Sequence, residues 1–445
     1  MNEQELLELI DQKKYVTIKK TLSELNAVDV AELLDPIELT TALLIFRMLP
    51  KDLAVEVFAH FSTDQQRDII NAITDKELNH ILDELFFDDM IDMIEEMPAN
   101  IVNKILKNST QEERNLINQF LKYPEYSAGS IMTIEHVELK QEMTVKEALA
   151  HIKEIGLSKE TIYTCYVTDN NRVLEGIVSL RAIVTSEDDE IIKDIMEKEL
   201  IYVNTHDDQE TVAAIFKKYG FIALPVVDKE HRLTGIITVD DIIDVIEQEA
   251  TEDFQRMAAM EPSEEAYLDT SIFVLAKHRI TWLLLLMVGA TFTGGIIGKY
   301  EDVLSTMTIL TAFIPMLMDT GGNSGSQSST LIIRGLATGE VTLKDKWKVM
   351  SKEFSISIIV GVILAFVNFI KNMYIDKVGF TVAFTVSITL VATVMMAKMV
   401  GGILPLIAKK FKMDPAIMAG PLITTIVDSM ALVVYFNIAT ALLHL

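Results

Sequence analysis

Apolar residues recur at helical spacing from the start of the chain to about residue 125, with few β-branched runs, so this stretch is predicted to be helical throughout. The segment STDQQRDIINAI, beginning at Ser62, returns 47 residues later as STQEERNLINQF, beginning at Ser109. Pro50 and Pro98 precede the two copies, each at a helix start. A leading Ser or Thr can accept from the free N–H groups of the first turn, and proline presets the backbone there. A period near 47 predicts stacked helical hairpins, an α-solenoid; a plain helical bundle would show the same periodicity.

From about 128 to 250 the pattern changes to short β-rich runs alternating with helices. TCYVTDNNRVLEGIVSLRAIV aligns with ALPVVDKEHRLTGIITVDDII at a constant offset of 59, pairing Asp169 with Asp228 and Gly176 with Gly235. Neither half can bury its sheet alone, so the two should pack as a pseudo-symmetric pair. With IMT (131–133) and IME (195–197) opening the copies, the region resembles tandem CBS domains. That resemblance implies a cleft between repeats that senses ligands, often adenine nucleotides such as ATP. CBS cores often place an acid after Ser/Thr-x-x to hold a ribose. The second copy has it (Thr238, Asp241); the first reads Ser179-Leu180-Arg181-Ala182 and offers only Arg181, as a phosphate contact.

Residues 251–276 read as a polar, helical connector, and beyond them the pattern suits a bilayer. Uncharged stretches cover 280–298, 303–318, 320–333, 354–370 and 378–397, and 415–443 is interrupted only by Asp428. Taking 303–333 as one span with a polar interruption predicts five crossings. The predicted domains are therefore 1–127, 128–250, the connector 251–276 and a membrane region 277–445. Loops on the N-terminal side carry ten Lys and Arg, and those opposite carry Lys299, Lys371 and Lys377. The positive-inside rule thus puts the N-terminal region in the cytosol and the C-terminus outside, in a plasma or inner membrane. The opening segment MNEQELLELIDQKK has no apolar signal core.

Charge sharpens the division. The formal charge of −26 is the sum of a net −31 over residues 1–270 and +5 over 271–445. So acidic a surface repels phosphate and argues against nucleic acid as a partner. Cys165, the single cysteine, has no disulfide or CxxC partner in the chain, which suits a reducing cytosol.

Two membrane features are costly in an apolar solvent. Asp428, in PLITTIVDSM, costs at least ~2.5–3.5 kcal/mol near mid-span and must face water, a partner or an ion. Helical spacing places Pro421, Thr424 or Thr425, and Asp428 on one face. Lys398 is the nearest basic candidate to neutralise it. The second feature is MDTGGNSGSQSST (318–330), read as a glycine- and hydroxyl-rich break; Asp319, Asn323 and Gln327 recur at four-residue spacing within it. Its glycines equally suit close helix packing. Carboxylate, hydroxyl and amide oxygens select hard cations, and a symmetric dimer would supply two carboxylates, suiting a hydrated Mg²⁺.

The soluble part carries eight acids and no Lys or Arg over 77–103, and seven acids with none over 233–255. Like charges three and four residues apart destabilise a helix, so these runs either lie in solvent or take up divalent counter-ions.

The order of solenoid, CBS pair, connector and five spans, with GGN in the second span and PLITTxxD in the last, resembles the MgtE family of magnesium channels over essentially the whole chain. The resemblance implies a homodimer with Mg²⁺ permeating along its two-fold axis, Asp428 as the pore carboxylate and Asn323 as a pore-lining amide. It further implies regulatory Mg²⁺ at Glu56, Asp88 and Asp92 of the N-terminal domain, at Asp208, Glu210, Asp241 and Asp244 of the CBS pair, at Glu249, Glu252 and Asp253 of the connector (plug) helix, and at Asp414 of the inner mouth. Ions bridging these acids would hold the pore shut when cytosolic Mg²⁺ is high. The same membrane motifs suit a secondary Mg²⁺ exchanger coupled to Na⁺ or H⁺. No P-loop or HExxH segment is present, so neither a nucleotide-hydrolysing pump nor a metalloprotease is expected. A lone buried carboxylate argues against an anion channel.

Overall fold

The computed structural model describes residues 2–263, 267–268 and 270–444. The chain divides into two compact units, Met1–Val245 and Ile246–Leu445.

The first unit opens with ten short helices: α1 (Glu3–Asp11), α2 (Tyr15–Leu22), α3 (Ala27–Leu34), α4 (Leu39–Phe46), α5 (Lys51–Ala59), α6 (Thr63–Ala72), α7 (Asp75–Glu84), α8 (Phe87–Glu96), α9 (Ala99–Asn108) and α10 (Gln111–Phe120). Helices shorter than about twelve residues are marginal alone, and these are held by their neighbours. From α2 to α7 each packs on the one two positions ahead, as α2 does on α4, α3 on α5, α5 on α7 and α7 on α9, while α1 packs on α2. The capping expectation needs refining. Pro50 and Pro98 stand at the N-cap position rather than in the first turn. In the second copy the cap is Thr110, whose side chain accepts from the Glu113 N–H in a reciprocal capping box, whereas Ser62 in the first makes no such bond.

The paired α/β region follows. Its first half comprises β1 (Val137–Lys140), α11 (Val145–Ile155), β2 (Thr164–Thr168), β3 (Leu174–Ser179), α12 (Leu180–Thr185) and α13 (Ile192–Ile195). The second comprises β4 (Val203–Asn204), α14 (Gln209–Tyr219), β5 (Ala223–Val227), β6 (Leu233–Thr238) and the opening of α15 (Val239–Met257). Each sheet pairs a parallel strand and an antiparallel hairpin, with a bulge at Val167/Thr168 in one and Val226/Val227 in the other. The aligned aspartates close these hairpins. Asp169 Oδ1 accepts from the N–H groups of Asn171 and Val173 at 2.7 and 2.8 Å, and Asp228 Oδ1 from those of Glu230 and Arg232 at 2.8 and 2.9 Å.

The aligned glycines explain how the halves join. A Cβ on Gly235 would lie 2.5 Å from the Thr133 carbonyl oxygen and 3.1 Å from Met132 Sδ, and one on Gly176 would lie 2.6 Å from Met196 Sδ. The lead-in of the first copy thus covers the hairpin of the second, and the IME segment covers the hairpin of the first; the bridges Thr133–Ile236 and Ile177–Glu197 complete the exchange.

Helix α15 runs without interruption through residue 250 to Met257, so the opening of the predicted connector continues a CBS helix; residues 264–266 and 269 of that connector lie outside the described residues. Then come α16 (Ile272–Lys299), α17 (Glu301–Thr306), α18 (Ile314–Ala337), α19 (Lys346–Tyr374), α20 (Phe380–Lys410) and α21 (Gly420–Leu443). Four of these are long and apolar enough to cross a membrane: α16, the helix ending at Tyr374, α20 and α21. The 24-residue α18 is diluted by its glycines and hydroxyls. Residues 318–330 are not a break, because the whole segment lies inside α18. Its small residues serve contact: a Cβ on Gly321, Gly322 or Gly325 would fall within 2.8–2.9 Å of Thr393, Thr424 or Ile423 side chains.

Candidate functional site: an oxygen-lined helix face and an acidic cluster

The helical path of α18 sorts its side chains sharply. Gly321, Gly322, Ser324, Gly325, Ser328 and Ser329 are buried against α20 and α21, while Asp319, Asn323, Gln327 and Thr330 are exposed along one edge. On α21, Thr424 and Thr425 each donate their hydroxyl to the Pro421 carbonyl oxygen at 2.9 Å, which leaves the lone pairs of both hydroxyl oxygens free. Thr424 lies against Gly322 of α18, and Thr425 against Gly289 of α16. One turn on, the half-buried Asp428 feels the charge of Asp319. The structure therefore gathers Pro421, Thr424, Thr425 and Asp428 on one helix, beside the helix that carries Asn323. Lys398 does not neutralise Asp428; among the described residues no ion pair reaches that carboxylate, and the Lys398 ammonium points instead to Ser328, 3.4 Å away.

Asp414 is different. It precedes a short 3-10 turn (Pro415–Met418), accepts from the Ala416 N–H at 2.8 Å, and is ion-paired to Arg256 near the end of α15. Arg256 also pairs with Glu252 one turn back. Met257 packs with Ile333, Ala416 and Ala419. Sequence reasoning missed Arg256, although it is the first base after the acidic run.

In the first unit α8 presents Asp88, Asp89 and Asp92 toward the acids that open α15. Burial, reinforced by the Asp241 charge, pushes the Asp88 carboxyl up to about 9 and that of Asp92 to about 7. Glu160, raised to about 7 by burial and then by Asp240 and Asp241, joins the group. Asp241 itself is raised to about 6 by burial, against the hydrogen bond it accepts from the Thr238 hydroxyl at 2.7 Å. Asp89 and Glu160 were not foreseen; only the tertiary fold brings them to Asp241. Asp88, Glu160 and Asp241, each half-buried, face one another beside the more exposed Asp89 and Asp92; Asp89 also feels the charge of His60, and among the described residues no ion pair reaches the group, a donor set that fits a hard divalent cation. Among the described residues, no three His, Cys, Asp or Glu side chains converge tightly enough to hold a bare ion.

The other expected acids lie on other elements or further along α15. Glu56 is exposed on α5. Asp208 caps α14, accepting from the Glu210 N–H at 3.0 Å. Asp244, Glu249 and Asp253 lie on α15 with Glu252. Arg181 is exposed on α12, in the other repeat from Thr238.

Three family models match: a divalent cation transporter family, MgtE, over residues 314–438; the MgtE intracellular N domain over 25–126; and CBS domains over 128–188 and 192–248. The chain is 34% identical over 445 residues to the magnesium transporter MgtE of Thermus thermophilus, covering 99% of this chain and 98% of that one. It is 32% identical to the MgtE of Bacillus subtilis, covering 94% of each. Among solved structures, the cytosolic domain of the Mg²⁺ channel MgtE in complex with ATP matches 55% of this chain and 100% of its own, with a TM-score of 0.52 and 33% identity. The soluble part of a magnesium transporter matches 56% and 98%, with a TM-score of 0.52 and 30% identity.

Proposed function

Because the chain belongs to the MgtE family of magnesium transporters, a multi-pass membrane family and not an enzyme, we propose that it is a Mg²⁺ channel whose path runs along the exposed oxygen face of α18 and α21. The observation that carries this reading is Asp428, a carboxylate within a membrane helix, without a basic partner among the described residues and one turn from two threonine hydroxyls whose oxygens can still accept. Mg²⁺ sheds water reluctantly, so a hydrated ion held by acceptors fits this face better than a dehydrating cage. Asp319, Asn323 and Gln327 are exposed in a single chain, and polar groups facing lipid are costly. A homodimer bringing two such faces to one axis removes that cost and supplies two Asp428 carboxylates. Two charges crossing ~100 mV gain ~4.6 kcal/mol, so entry needs no chemical fuel.

The N-terminal region is cytosolic and the C-terminus outside in this reading. The acids of α8 and α15, with Glu56, Asp208, Glu210, Asp244, Glu249, Glu252, Asp253 and Asp414, form the Mg²⁺ sensor. Ions that bind only the closed arrangement favour it by their differential affinity. The crystallised relative's ATP complex supports nucleotide binding at the CBS pair, with Thr238 and Arg181 as candidate contacts.

Recording currents from full-length protein while stepping Mg²⁺ on the cytosolic face tests both parts. The channel reading expects reversal at the Mg²⁺ equilibrium potential and a falling open probability as internal Mg²⁺ rises. Reversal that follows a Na⁺ or pH gradient would establish an exchanger instead. Neutralising Glu249, Glu252 and Asp253 together should leave flux intact and weaken shut-off; unchanged inhibition would remove the connector from the sensor.

A further inference from the structure

On the far side of α18 lies a second polar cluster, buried inside the membrane unit. Glu353 of α19 and Lys398 of α20 are each 5% exposed, and Ser328 of α18 is 1% exposed. The Ser328 hydroxyl donates to Glu353 Oε2 at 2.5 Å and accepts from Lys398 Nζ at 3.4 Å. One hydroxyl therefore stands between an acid and a base from two other helices, and these two bonds have the polarity that the neighbouring charges require; the Ser324 carbonyl oxygen of its own helix, 3.4 Å away, is the longer of its two acceptors. The surroundings fix the acid in place: a Cβ on Gly402 would lie 3.2 Å from Glu353 Cγ.

Burying two opposite charges is expensive, and a well-packed apolar set would often be as stable. A network so placed therefore invites a role besides stability. At 3.6 residues per turn Ser328 lies about 140° round α18 from Asn323, so the cluster grips the rear of the helix whose front edge carries Asn323 and Gln327. We propose that Glu353 and Lys398 are positioning residues that act through Ser328 to fix the rotation of α18, and with it the aim of Asn323 and Gln327 into the ion path. The inference rests on the reading of α18 and α21 as that path. Rotation about the helix axis would swing the amides away from Asp428 while leaving the apolar packing of α20 on α21 in place.

The test uses full-length protein in proteoliposomes, with uptake of Mg²⁺ and of Ca²⁺ measured per folded molecule at a series of concentrations. The variants are S328A, E353Q, K398M and the doubly neutral E353Q/K398M, with D428A alongside and thermal unfolding of each recorded. Positioning predicts that E353Q and K398M, each leaving one charge uncompensated, raise the Mg²⁺ half-saturation concentration and lower the Mg²⁺ to Ca²⁺ uptake ratio by about tenfold. The double variant should recover much of the lost ratio. S328A, which breaks the bridge but adds no charge, should shift the ratio in the same direction. Unaltered half-saturation and ratio in folded S328A, even if the single charge variants fail to fold, would overturn the inference. So would losses that follow only the amount of folded protein. Retained flux in D428A would instead defeat the reading of the path, which separates the two failures.

Discussion

Asp414 and Asp428 lie fourteen residues apart, yet the chain treats them in opposite ways. Arg256 neutralises the first, while the second, among the described residues, feels the charge of another acid, Asp319, and lies one turn from the threonine hydroxyls. A carboxylate left open in this manner attracts mobile cations, and one already paired does not. Asp428→Ala should therefore abolish Mg²⁺ uptake with little change in thermal stability, measured by indicator flux and unfolding on the same preparation. At this scale the sequence was informative where a charge was anomalous: Asp428 stands out from an apolar stretch without any structure. Glu353 did not stand out, because it borders the uncharged run beginning at Phe354 and reads as an interfacial residue. Its burial is apparent only once Ser328 and Gly402 are seen packed against it. Asp89 and Glu160 were hidden for a related reason, since their charge is ordinary until the fold makes Asp240 and Asp241 their neighbours.

Among elements, periodicity predicted the helices and the 59-residue repeat, and the matching bulges and turn aspartates account physically for that repeat. The expectation that failed was the break at 318–330. Glycine, serine and asparagine have low helix propensity in water, but within a membrane unit the same residues allow helices to approach closely. Helix α18 is therefore continuous where composition suggested an interruption. Its tightest approach is to α20, where a Cβ on Gly401 would lie 2.2 Å from the Gly325 carbonyl oxygen. Gly401→Ala should thus force the two helices apart, costing about 1–3 kcal/mol and lowering flux; calorimetry and uptake on the same sample would show both. An unchanged melting temperature would mean that the contact is looser than described. The predicted boundary at 250/251 likewise falls inside a helix, since residues 251–257 continue α15.

For the molecule as a whole, the acidic cluster couples stability to both protons and divalent ions. Asp88, Asp92, Glu160 and Asp241 have carboxyls raised above their ordinary values, so the packed arrangement favours their protonated forms. Its stability is then fully present below the ordinary carboxylate range, and is lost as pH rises through about 6 to about 9. Without divalent cations, amide hydrogen exchange in α8, corrected for its intrinsic pH dependence, should quicken between pH 5 and pH 9. Millimolar Mg²⁺ should restore protection at the alkaline end by supplying the compensating charge, and Asp88→Asn with Asp92→Asn should weaken both responses, leaving the part carried by Glu160 and Asp241. Protection that rises with pH in the absence of Mg²⁺ would contradict the linkage.

The crossed lead-ins of the paired repeats also bear on how the chain can be cut. Because IMT closes over Gly235 and IME over Gly176, neither repeat owns all the parts that complete it. A nick between residues 186 and 191 should be tolerated while both fragments are present, and should leave either one aggregation-prone when made alone. Co-production from two plasmids, followed by gel filtration, would reveal whether the fragments find each other as a complementing pair.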